Sequence, residues 1–257
     1  MIEQLTQIRT SIRSPIITKV RDAFSRSLCG EGRLPEEILS MDGMSGRKYR
    51  LFINNLVRET EDAHYLEVGV WAGSTLCSAI NGNIVRAIAI DNWSEFGGPK
   101  NMFIENLEKF RTPQANVEFI EKDFRRVDFS SLGKFNIYLF DGPHAEQDQY
   151  DGIVQAREAF SDEFVLIVDD WNWDQVRKGT FSAITELKAS LMFALEIRTS
   201  FDNVHAHPSG PHSDWHNGYF IAVLAQEARR SGKSMKQYFK VARTYLWPNH
   251  RLAVAKE

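Results

Sequence analysis

The fold of this chain is decided by Tyr65-Leu-Glu-Val-Gly-Val-Trp-Ala-Gly-Ser-Thr75. The first half of this stretch has the pattern of a buried strand, and two glycines then mark a turn into a helix. In an open α/β sheet the cofactor binds at such a turn, outside the carboxyl ends of the strands. The first candidate binding residues are therefore Glu67, Gly69, Gly73 and Ser74.

The same turn indicates which kind of cofactor it suits. A dinucleotide-binding turn has the spacing G-x-G-x-x-G, and its second glycine lets the backbone approach a pyrophosphate. Counted from Gly69, Trp71 occupies that second position and Ser74 the third. The Trp71 side chain would block a pyrophosphate, and the Glu67 carboxylate would repel it. An acid beside an open glycine turn favours a ligand that carries an ammonium or sulfonium group.

The composition indicates a globular protein. The 257 residues fit one α/β domain with additions, or at most two small domains, and 43% hydrophobic residues suffice for a full core. A formal net charge of −3 gives no reason to expect a nucleic acid as the main partner. Cys29 and Cys77 are expected to be reduced thiols. Because no apolar run approaches the roughly 20 residues that span a bilayer, and the first residues do not resemble a secretory leader, we expect a cytoplasmic protein.

From Ala63 onward, short apolar runs alternate with longer segments that can be helical. The predicted strands are His64–Gly69, Val85–Asp91, Val117–Ile120, Asn136–Asp141, Phe164–Asp169, Phe193–Ser200 and Gly218–Ala225. This alternation predicts an α/β fold with a mostly parallel, seven-stranded sheet and helices on both faces. Helical periodicity over about Ile2–Leu28 and Ser45–Glu59 predicts helical N-terminal additions. We expect residues 1–60 to form a helical cap and residues 61–257 a cofactor-binding domain, in one compact unit.

Three of the predicted strands end in an aspartate, namely Asp91, Asp141 and Asp169. Parallel strands end at the same edge of a sheet, so these carboxylates are expected beside the glycine turn. A simpler explanation exists for each of them, since aspartate is a common N-cap of the helix that follows a strand.

The glycine turn and the acids that follow it resemble the cofactor motif of class I S-adenosylmethionine-dependent methyltransferases. The matching residues are Glu67-x-Gly69-x-x-x-Gly73, Asp91 after the second strand and Asp123 after the third. The resemblance implies that Glu67 faces the methionine amino group and that Asp91 holds the ribose hydroxyls. It also implies that Asp123 and Phe124 lie by the adenine. The implied fold is a Rossmann-like sheet whose last strand is antiparallel.

A further part of the resemblance lies before the second predicted helix. Met41-Asp-Gly-Met-Ser-Gly46 resembles the loop that covers the cofactor in this family, which adds Met44 to the cofactor-binding residues. The same segment is equally well explained as a flexible turn in which Ser45 is the N-cap of the helix.

Two later segments indicate the type of reaction: Leu139-Phe-Asp-Gly-Pro-His144 and Leu166-Ile-Val-Asp-Asp-Trp-Asn172. Together they supply Asp141, Asp169 and Asp170. Carboxylates that converge repel one another unless a cation neutralises them, and oxygen ligands favour Mg²⁺, Mn²⁺ or Ca²⁺. The segments resemble the metal-dependent small-molecule O-methyltransferases. The Asp-Gly-x-His element and the Asp-Asp pair are closer to the macrolide-sugar enzymes than to catechol O-methyltransferase.

This resemblance implies methyl transfer to a hydroxyl of a small, oxygen-rich acceptor, with a natural-product sugar as the first expectation and a catechol-like phenol as the second. Asp141 and His144 are the predicted catalytic residues, with His144 as the general base that removes the hydroxyl proton. The simpler explanation for His144 is a loop histidine that caps the next helix.

Other functions remain open at this point. An NAD(P)-dependent oxidoreductase uses the same kind of sheet, although Trp71 argues against it. A non-catalytic binding protein would keep the fold, although the intact strand-end acids and His144 argue against that. We expect a small-molecule acceptor, no nucleic acid and no membrane, and homo-oligomers are not excluded.

Three further segments carry weaker signals. The histidines at 205, 207, 212 and 216 fit a lid over the acceptor better than a zinc site, because their spacing is irregular. Trp171, Trp173 and Trp215 would suit the wall of an apolar pocket, although large aromatic residues are as often ordinary packing. The basic tail from Arg229 onward is predicted to be helical before Pro248.

Overall fold

The computed structural model describes residues 2–10, 13–201, 203–226 and 244–246. The strands in these ranges are β1 (Gln4–Arg9), β2 (Ala63–Val68), β3 (Val85–Asp91), β4 (Ala115–Glu121), β5 (Phe135–Phe140), β6 (Phe160–Val168), β7 (Ser190–Arg198), β8 (Tyr219–Ala225) and β9 (Thr244–Leu246). The α-helices are α1 (Pro15–Leu28), α2 (Glu36–Leu39), α3 (Arg47–Glu59), α4 (Ser74–Ile80), α5 (Lys100–Phe110), α6 (Glu146–Gln155) and α7 (Asp174–Glu186). None of the described helices is long and apolar enough to cross a bilayer.

The described strands form one sheet in the order β4-β3-β2-β5-β6-β8-β7-β1-β9. Strands β2 to β6 are paired in parallel, and β8 lies antiparallel between β6 and β7. The prediction of an α/β sheet that combines parallel strands with a late antiparallel strand is therefore confirmed. The predicted number of seven strands is wrong for the part of the chain that the structure describes, because β1 and β9 extend the sheet beyond β7.

The first predicted helix, about Ile2–Leu28, is wrong over roughly its first half. Gln4–Arg9 is a strand that pairs antiparallel with β7, with Leu5 opposite Ile197, and the helix begins only at Pro15. Proline is favoured in the first turn of a helix and not in its interior, so Pro15 separates the two elements. The strand depends on a partner far along the chain, and local periodicity does not record that partner.

The predicted helical tail is also corrected where the structure describes it. Thr244–Leu246 forms β9, which pairs antiparallel with β1. The rest of that prediction, residues 229–243 and 247, falls outside the described residues.

The central strands of the sheet are buried on both faces, as an α/β fold requires, whereas the edge strand β4 is largely exposed. One face packs against α1, α3, α4 and α5, through side chains such as Phe24, Phe52, Leu76 and Phe103. The other face packs against α6 and α7, through side chains such as Ile153 and Val176. Alternate residues of a strand point to opposite faces, and here both faces are buried. The polar side chains of the parallel strands therefore lie mostly at the strand ends. The candidate site lies at one of those ends.

Candidate active site

A cavity of about 270 Å³ lies at the carboxyl ends of β2, β3, β5 and β6. Of the residues predicted for the site, the cavity is lined by Met44, Glu67, Gly69, Ser74, Asp91, Asp123, Phe124, Asp141, His144, Asp169 and Asp170. Gly73 does not line it. The structure thus brings the residues predicted for the methyl donor and those predicted for the metal into one cavity.

The glycine turn after β2 depends on Gly69 and Gly73. Gly69 has a φ of 87°, in the left-handed region, and its N–H donates to the carbonyl of Ile90 at 2.9 Å. A Cβ atom at Gly69 would overlap the carbonyl oxygen of Asp141. Gly73 is the left-handed N-cap of α4 and packs against Phe103. Gly69 therefore lets two strand ends approach closely, and Gly73 shapes the start of the helix.

Asp91 braces this turn from the end of β3. Its Oδ2 atom accepts hydrogen bonds from the backbone N–H groups of Val70 at 2.8 Å and Trp71 at 2.9 Å. Its Oδ1 atom accepts one from the N–H of Trp93 at 2.6 Å. A carboxylate has about four acceptor positions, so Asp91 keeps capacity for a ligand hydroxyl. The predicted ribose ligand is also a structural brace.

Asp123 and Phe124 begin a short 3₁₀ turn after β4. The carboxylate of Asp123 accepts a hydrogen bond from the N–H of Arg125 at 2.9 Å. The Phe124 ring is buried edge-on against Phe140, with ring centroids 5.4 Å apart, and the Arg125 guanidinium lies 4.4 Å from its centroid. This arrangement presents a fixed aromatic ring and a carboxylate to the cavity.

Glu67 is a buried carboxyl group at the centre of the site, with 1% of its surface exposed. The Tyr65 hydroxyl donates to its Oε2 atom at 2.6 Å. Burial raises the pKa of Glu67 well above its usual value, and the nearby carboxylates of Asp141 and Asp91 raise it further. Without a cationic ligand, Glu67 therefore tends to hold a proton.

We expect the Glu67→Gln substitution to stabilise the ligand-free protein at pH 8. The pKa of Glu67 is higher in the folded state than in the unfolded state. The carboxyl group therefore destabilises the fold increasingly as the pH rises from the unfolded-state pKa to the folded-state pKa. Glutamine does not titrate and keeps an oxygen for the Tyr65 hydroxyl. Thermal melts should show a gain in Tm that is larger at pH 8 than at pH 4. Equal gains at both pH values would contradict this account.

Asp141, His144 and Asp170 form a compact cluster in the same cavity as Glu67. Their ligand atoms all lie within 4.8 Å of one another. His144 Nε2 lies 2.8 Å from Asp170 Oδ2 and 3.7 Å from Asp141 Oδ1. The Nε2 atom is buried, and despite these short distances it makes no hydrogen bond to the described residues. The contacts are therefore electrostatic. Each of the three residues directs one atom that could bind a metal ion toward the other two.

The charges of this cluster follow from burial and proximity. Burial lowers the pKa of His144, but the contacts with Asp141 and Asp170 outweigh it and raise the pKa to about 10. Burial raises the pKa of Asp141 to about 6. The pKa of Asp169 is raised well above its usual value by burial and by the other two carboxylates. The imidazolium of His144 and a proton on Asp169 therefore reduce the negative charge of the three aspartates when no cation is present.

Asp169 takes a different position from the other two aspartates. Its Oδ1 atom accepts a hydrogen bond from the N–H of Asp170 at 2.6 Å, and it is not part of the group within 4.8 Å. Asp170 adopts a φ of 53°, which is strained for a non-glycine residue. The strained backbone turns the Asp170 side chain toward His144.

Asn217 is a site residue that the sequence did not predict, whereas His216 was among the histidines predicted for a lid over the acceptor. The Asn217 amide donates to Asp170 Oδ1 at 2.7 Å, and both residues line the cavity. A signal for Asn217 existed: β8 is antiparallel, so the residues just before it lie at the carboxyl ends of its parallel neighbours. Any polar residue directly before the last predicted strand was therefore a candidate for the site.

The structure separates the three tryptophans that were predicted as pocket wall. Trp173 lines the cavity, and its ring lies edge-on to His144, with ring centroids 5.1 Å apart. Trp171 is stacked on Phe220 in the core, and Trp215 is buried against Phe24. The prediction is wrong for Trp171 and Trp215, because the apolar core contains their large rings. Of the four histidines of the loop, 205 and 216 line the cavity and 207 and 212 do not.

Two loops meet at the start of α3: the cofactor-side loop (residues 41–46) and the His-rich loop (residues 205–217). The first N–H groups of α3 donate to the His-rich loop, Arg47 to the carbonyl of Ser213 at 2.8 Å and Lys48 to that of Asp214 at 3.0 Å. A helix start leaves such N–H groups without partners inside the helix, and here a loop carbonyl satisfies them. The Lys48 ammonium also pairs with the Asp214 carboxylate at 3.0 Å.

The cofactor-side loop is held by the buried guanidinium of Arg50. It donates to Ser45 Oγ at 3.0 Å and to the carbonyl of Met41 at 2.8 Å. Ser45 Oγ in turn lies 2.8 Å from Ser74 Oγ. The prediction of Ser45 as the N-cap is wrong, since Gly46 is the N-cap of α3 and Ser45 instead joins the loop to the glycine turn.

No model of a known protein family matches this sequence, and no curated protein matches it. Solved structures do resemble it. The cofactor-bound structure of Rv0187 from MTB is 14% identical and has a TM-score of 0.50, over 84% of this chain and 91% of that one. A Streptococcus mutans chain, provisionally named a SAM-dependent methyltransferase, is 14% identical with a TM-score of 0.50, over 70% of this chain and 48% of that one. This chain has a methyltransferase fold.

A third solved structure that resembles this chain is the O-methyltransferase from Bacillus cereus in complex with SAH. It is 13% identical, with a TM-score of 0.49, over 83% of this chain and 92% of that one. At such identities the likeness concerns the fold, and the same fold supports different chemistries. The function has to be argued from the residues of the cavity.

Proposed function

We propose that this protein transfers a methyl group from S-adenosylmethionine to a hydroxyl of a small, oxygen-rich acceptor, assisted by a divalent cation. The observation that carries the proposal is the position of the Asp141–His144–Asp170 cluster. It lies in the same cavity as the glycine turn, Glu67 and Asp91. A donor pocket and a proton-accepting, cation-binding group would then act on one bound acceptor. A sugar hydroxyl is the first candidate and a catechol-like phenol the second.

The donor half of the proposal rests on charge. A buried glutamic acid suits the ammonium of the methionine part, because a cation compensates its burial. The Trp71 side chain lines the cavity at the turn, and its indole N–H donates to the carbonyl of Phe96 at 3.0 Å. This fixed indole stands where a pyrophosphate would have to approach the backbone, which disfavours NAD(P). Isothermal titration with S-adenosylmethionine and with NADH separates the two functions.

The residues of the cluster fit a hard divalent cation. Three donor atoms converge, and the buried Nε2 atom of His144 has no hydrogen bond among the described residues. Two ligand sets share Asp141 and Asp170, with either Asp169 or His144 as the third ligand. For Mg²⁺ we propose Asp141, Asp169 and Asp170, since Mg²⁺ prefers oxygen ligands. His144 then stays available as a base.

The chemistry follows from what the protein groups do. A bound divalent cation would lower the pKa of the acceptor hydroxyl. Neutral His144 accepts the hydroxyl proton on Nε2, and the adjacent Asp170 carboxylate stabilises the imidazolium that forms. The glycine turn and Glu67 hold the donor so that the sulfonium methyl faces the new alkoxide. Most of the rate gain comes from this alignment.

We expect the binding of Mg²⁺ to release protons at pH 7.5. In the cation-free cluster His144 is protonated, with a pKa of about 10, and Asp169 tends to hold a proton as well. A bound cation would stabilise the deprotonated forms of His144 and Asp169 and so lower both pKa values. Calorimetric titration of Mg²⁺ in two buffers of different ionisation enthalpy measures the release, which should be about one proton or more per ion. Binding without proton release would contradict the proposed charges.

The experiment that tests the whole proposal uses the full chain with S-adenosylmethionine, Mg²⁺ and a panel of sugar and phenol acceptors. Mass spectrometry should detect the gain of one methyl group, and a chelator should abolish it. Methylation that survives the chelator would refute the cation half and leave the donor half intact. Failure of S-adenosylmethionine to bind would refute the proposal.

A further inference from the structure

His216 has a fixed ring tautomer, because its Nδ1 atom is used as an acceptor. The backbone N–H of Gly210 donates to His216 Nδ1 at 2.9 Å, inside the His-rich loop. A neutral imidazole that accepts on one nitrogen carries its proton on the other. Burial lowers the pKa of His216, which favours this neutral form. The Nε2 atom is therefore an N–H donor.

This donor has no acceptor among the described residues. Its polar neighbour is the side-chain amide nitrogen of Asn217, 3.4 Å away, which is itself a donor. The two hydrogens of that amide are taken, because it donates to Asp170 Oδ1 at 2.7 Å and contacts His205 Nδ1 at 3.0 Å. His216 is 8% exposed and lines the cavity. A buried donor that faces a cavity indicates a ligand acceptor atom.

The position of His216 places its Nε2–H group close to the proposed binding site of the methyl acceptor. The Asn217 amide lies between the His216 ring and Asp170, so the free N–H is one amide group away from the cluster that would hold the reacting oxygens. An acceptor bound there by two oxygens would extend its next substituent toward His216. His216 also has a φ of 41°, and such a strained backbone at a cavity wall is typical of positions that serve a function.

We propose that His216 is a specificity-determining residue that donates a hydrogen bond from Nε2 to a third oxygen of the acceptor, next to the two oxygens held at the Asp141–His144–Asp170 cluster. This inference rests on the proposed function of the site. An acceptor without the third oxygen leaves the buried donor unpaired, which corresponds to a loss of about 10- to 100-fold in kcat/KM.

The His216→Asn variant isolates the Nε2 donor. The asparagine amide oxygen can take the place of Nδ1 and accept from Gly210, while the Nε2 position is removed. Asparagine also tolerates the left-handed backbone at this position better than most residues. The matched control is His212→Asn, since His212 is exposed in the same loop and does not line the cavity.

The kinetic test compares pyrogallol with catechol, which differ by one adjacent hydroxyl, in the presence of S-adenosylmethionine and Mg²⁺. The wild type and the His212→Asn control should favour pyrogallol by about 10-fold or more in kcat/KM, and His216→Asn should bring that ratio close to one. An unchanged ratio in His216→Asn would overturn the inference.

A second test does not need turnover. The full chain labelled with ¹⁵N-histidine, saturated with S-adenosylhomocysteine and Mg²⁺, should show His216 protonated on Nε2. Pyrogallol should shift that N–H signal and catechol should not. A proton on Nδ1, or a signal that pyrogallol does not move, overturns the inference. If pyrogallol moves the signal but no acceptor of the sugar and phenol panel is methylated, the proposed function fails and the inference about the His216 donor stands.

Discussion

Asp141→Asn is expected to lower kcat/KM for methyl transfer by about 100-fold or more, while the Kd for S-adenosylmethionine changes little. The substitution removes one of the negative charges that the proposed cation needs. It also weakens the electrostatic support for the imidazolium of His144, whose Nε2 lies 3.7 Å from Asp141 Oδ1. The donor side is spared because the backbone carbonyl that faces Gly69 remains. Initial rates over a range of Mg²⁺ concentrations, together with calorimetry of the cofactor, give both quantities.

The matched control for this prediction is Asp162→Asn. Asp162 is exposed near the beginning of β6, at the opposite end of the strand from the site. Its substitution should leave both kcat/KM and the Mg²⁺ dependence unchanged. If Asp141→Asn retained full activity and a chelator had no effect on the wild type, the cation-assisted mechanism would be wrong.

Gly69→Ala is expected to abolish cofactor binding and to lower the free energy of unfolding by about 3 kcal/mol or more. The new Cβ atom would overlap the carbonyl oxygen of Asp141, and neither backbone can move without displacing β2 or β5. The left-handed φ of 87° adds strain for any residue with a side chain. Chemical denaturation and calorimetry with S-adenosylmethionine measure the two effects.

Gly82→Ala separates the overlap from the backbone strain. Gly82 also has a left-handed φ, of 69°, but an added Cβ atom there meets nothing within 4 Å. This variant should lose only about 1–2 kcal/mol and should bind the cofactor normally. Equal losses in the two variants would mean that the close approach of Gly69 to Asp141 is unimportant.

Much of the central sheet could be predicted from the sequence, since apolar runs and the polar turns after them are local signals. The predicted strand Val85–Asp91 agrees with β3 at both ends. The strand-end acids were informative for the same reason, because a parallel sheet brings the residues after each strand to a single edge. Asp91, Asp141 and Asp169 all line the cavity on this basis.

The remaining features depend on contacts between distant parts of the chain. The strand β1 exists because β7 offers an edge to pair with, and nothing near Gln4–Arg9 records that edge. Trp171 and Trp173 are two positions apart in the sequence, but Trp171 lies in the core and Trp173 lines the cavity. The residue type alone does not distinguish the two. The role of Asn217 is set by its hydrogen bond to Asp170, which only the folded chain brings about.

The meeting of two loops at the start of α3 has a thermodynamic consequence. Met44 of the cofactor-side loop and His216 of the His-rich loop both line the cavity. Both loops are anchored within a few residues of Arg47, so a ligand that orders one loop also restricts the other. Donor and acceptor should therefore bind cooperatively, and each should raise the affinity of the other by the same factor. This reciprocity favours the ternary complex over either binary complex. The methyl donor therefore binds less tightly when no acceptor is present.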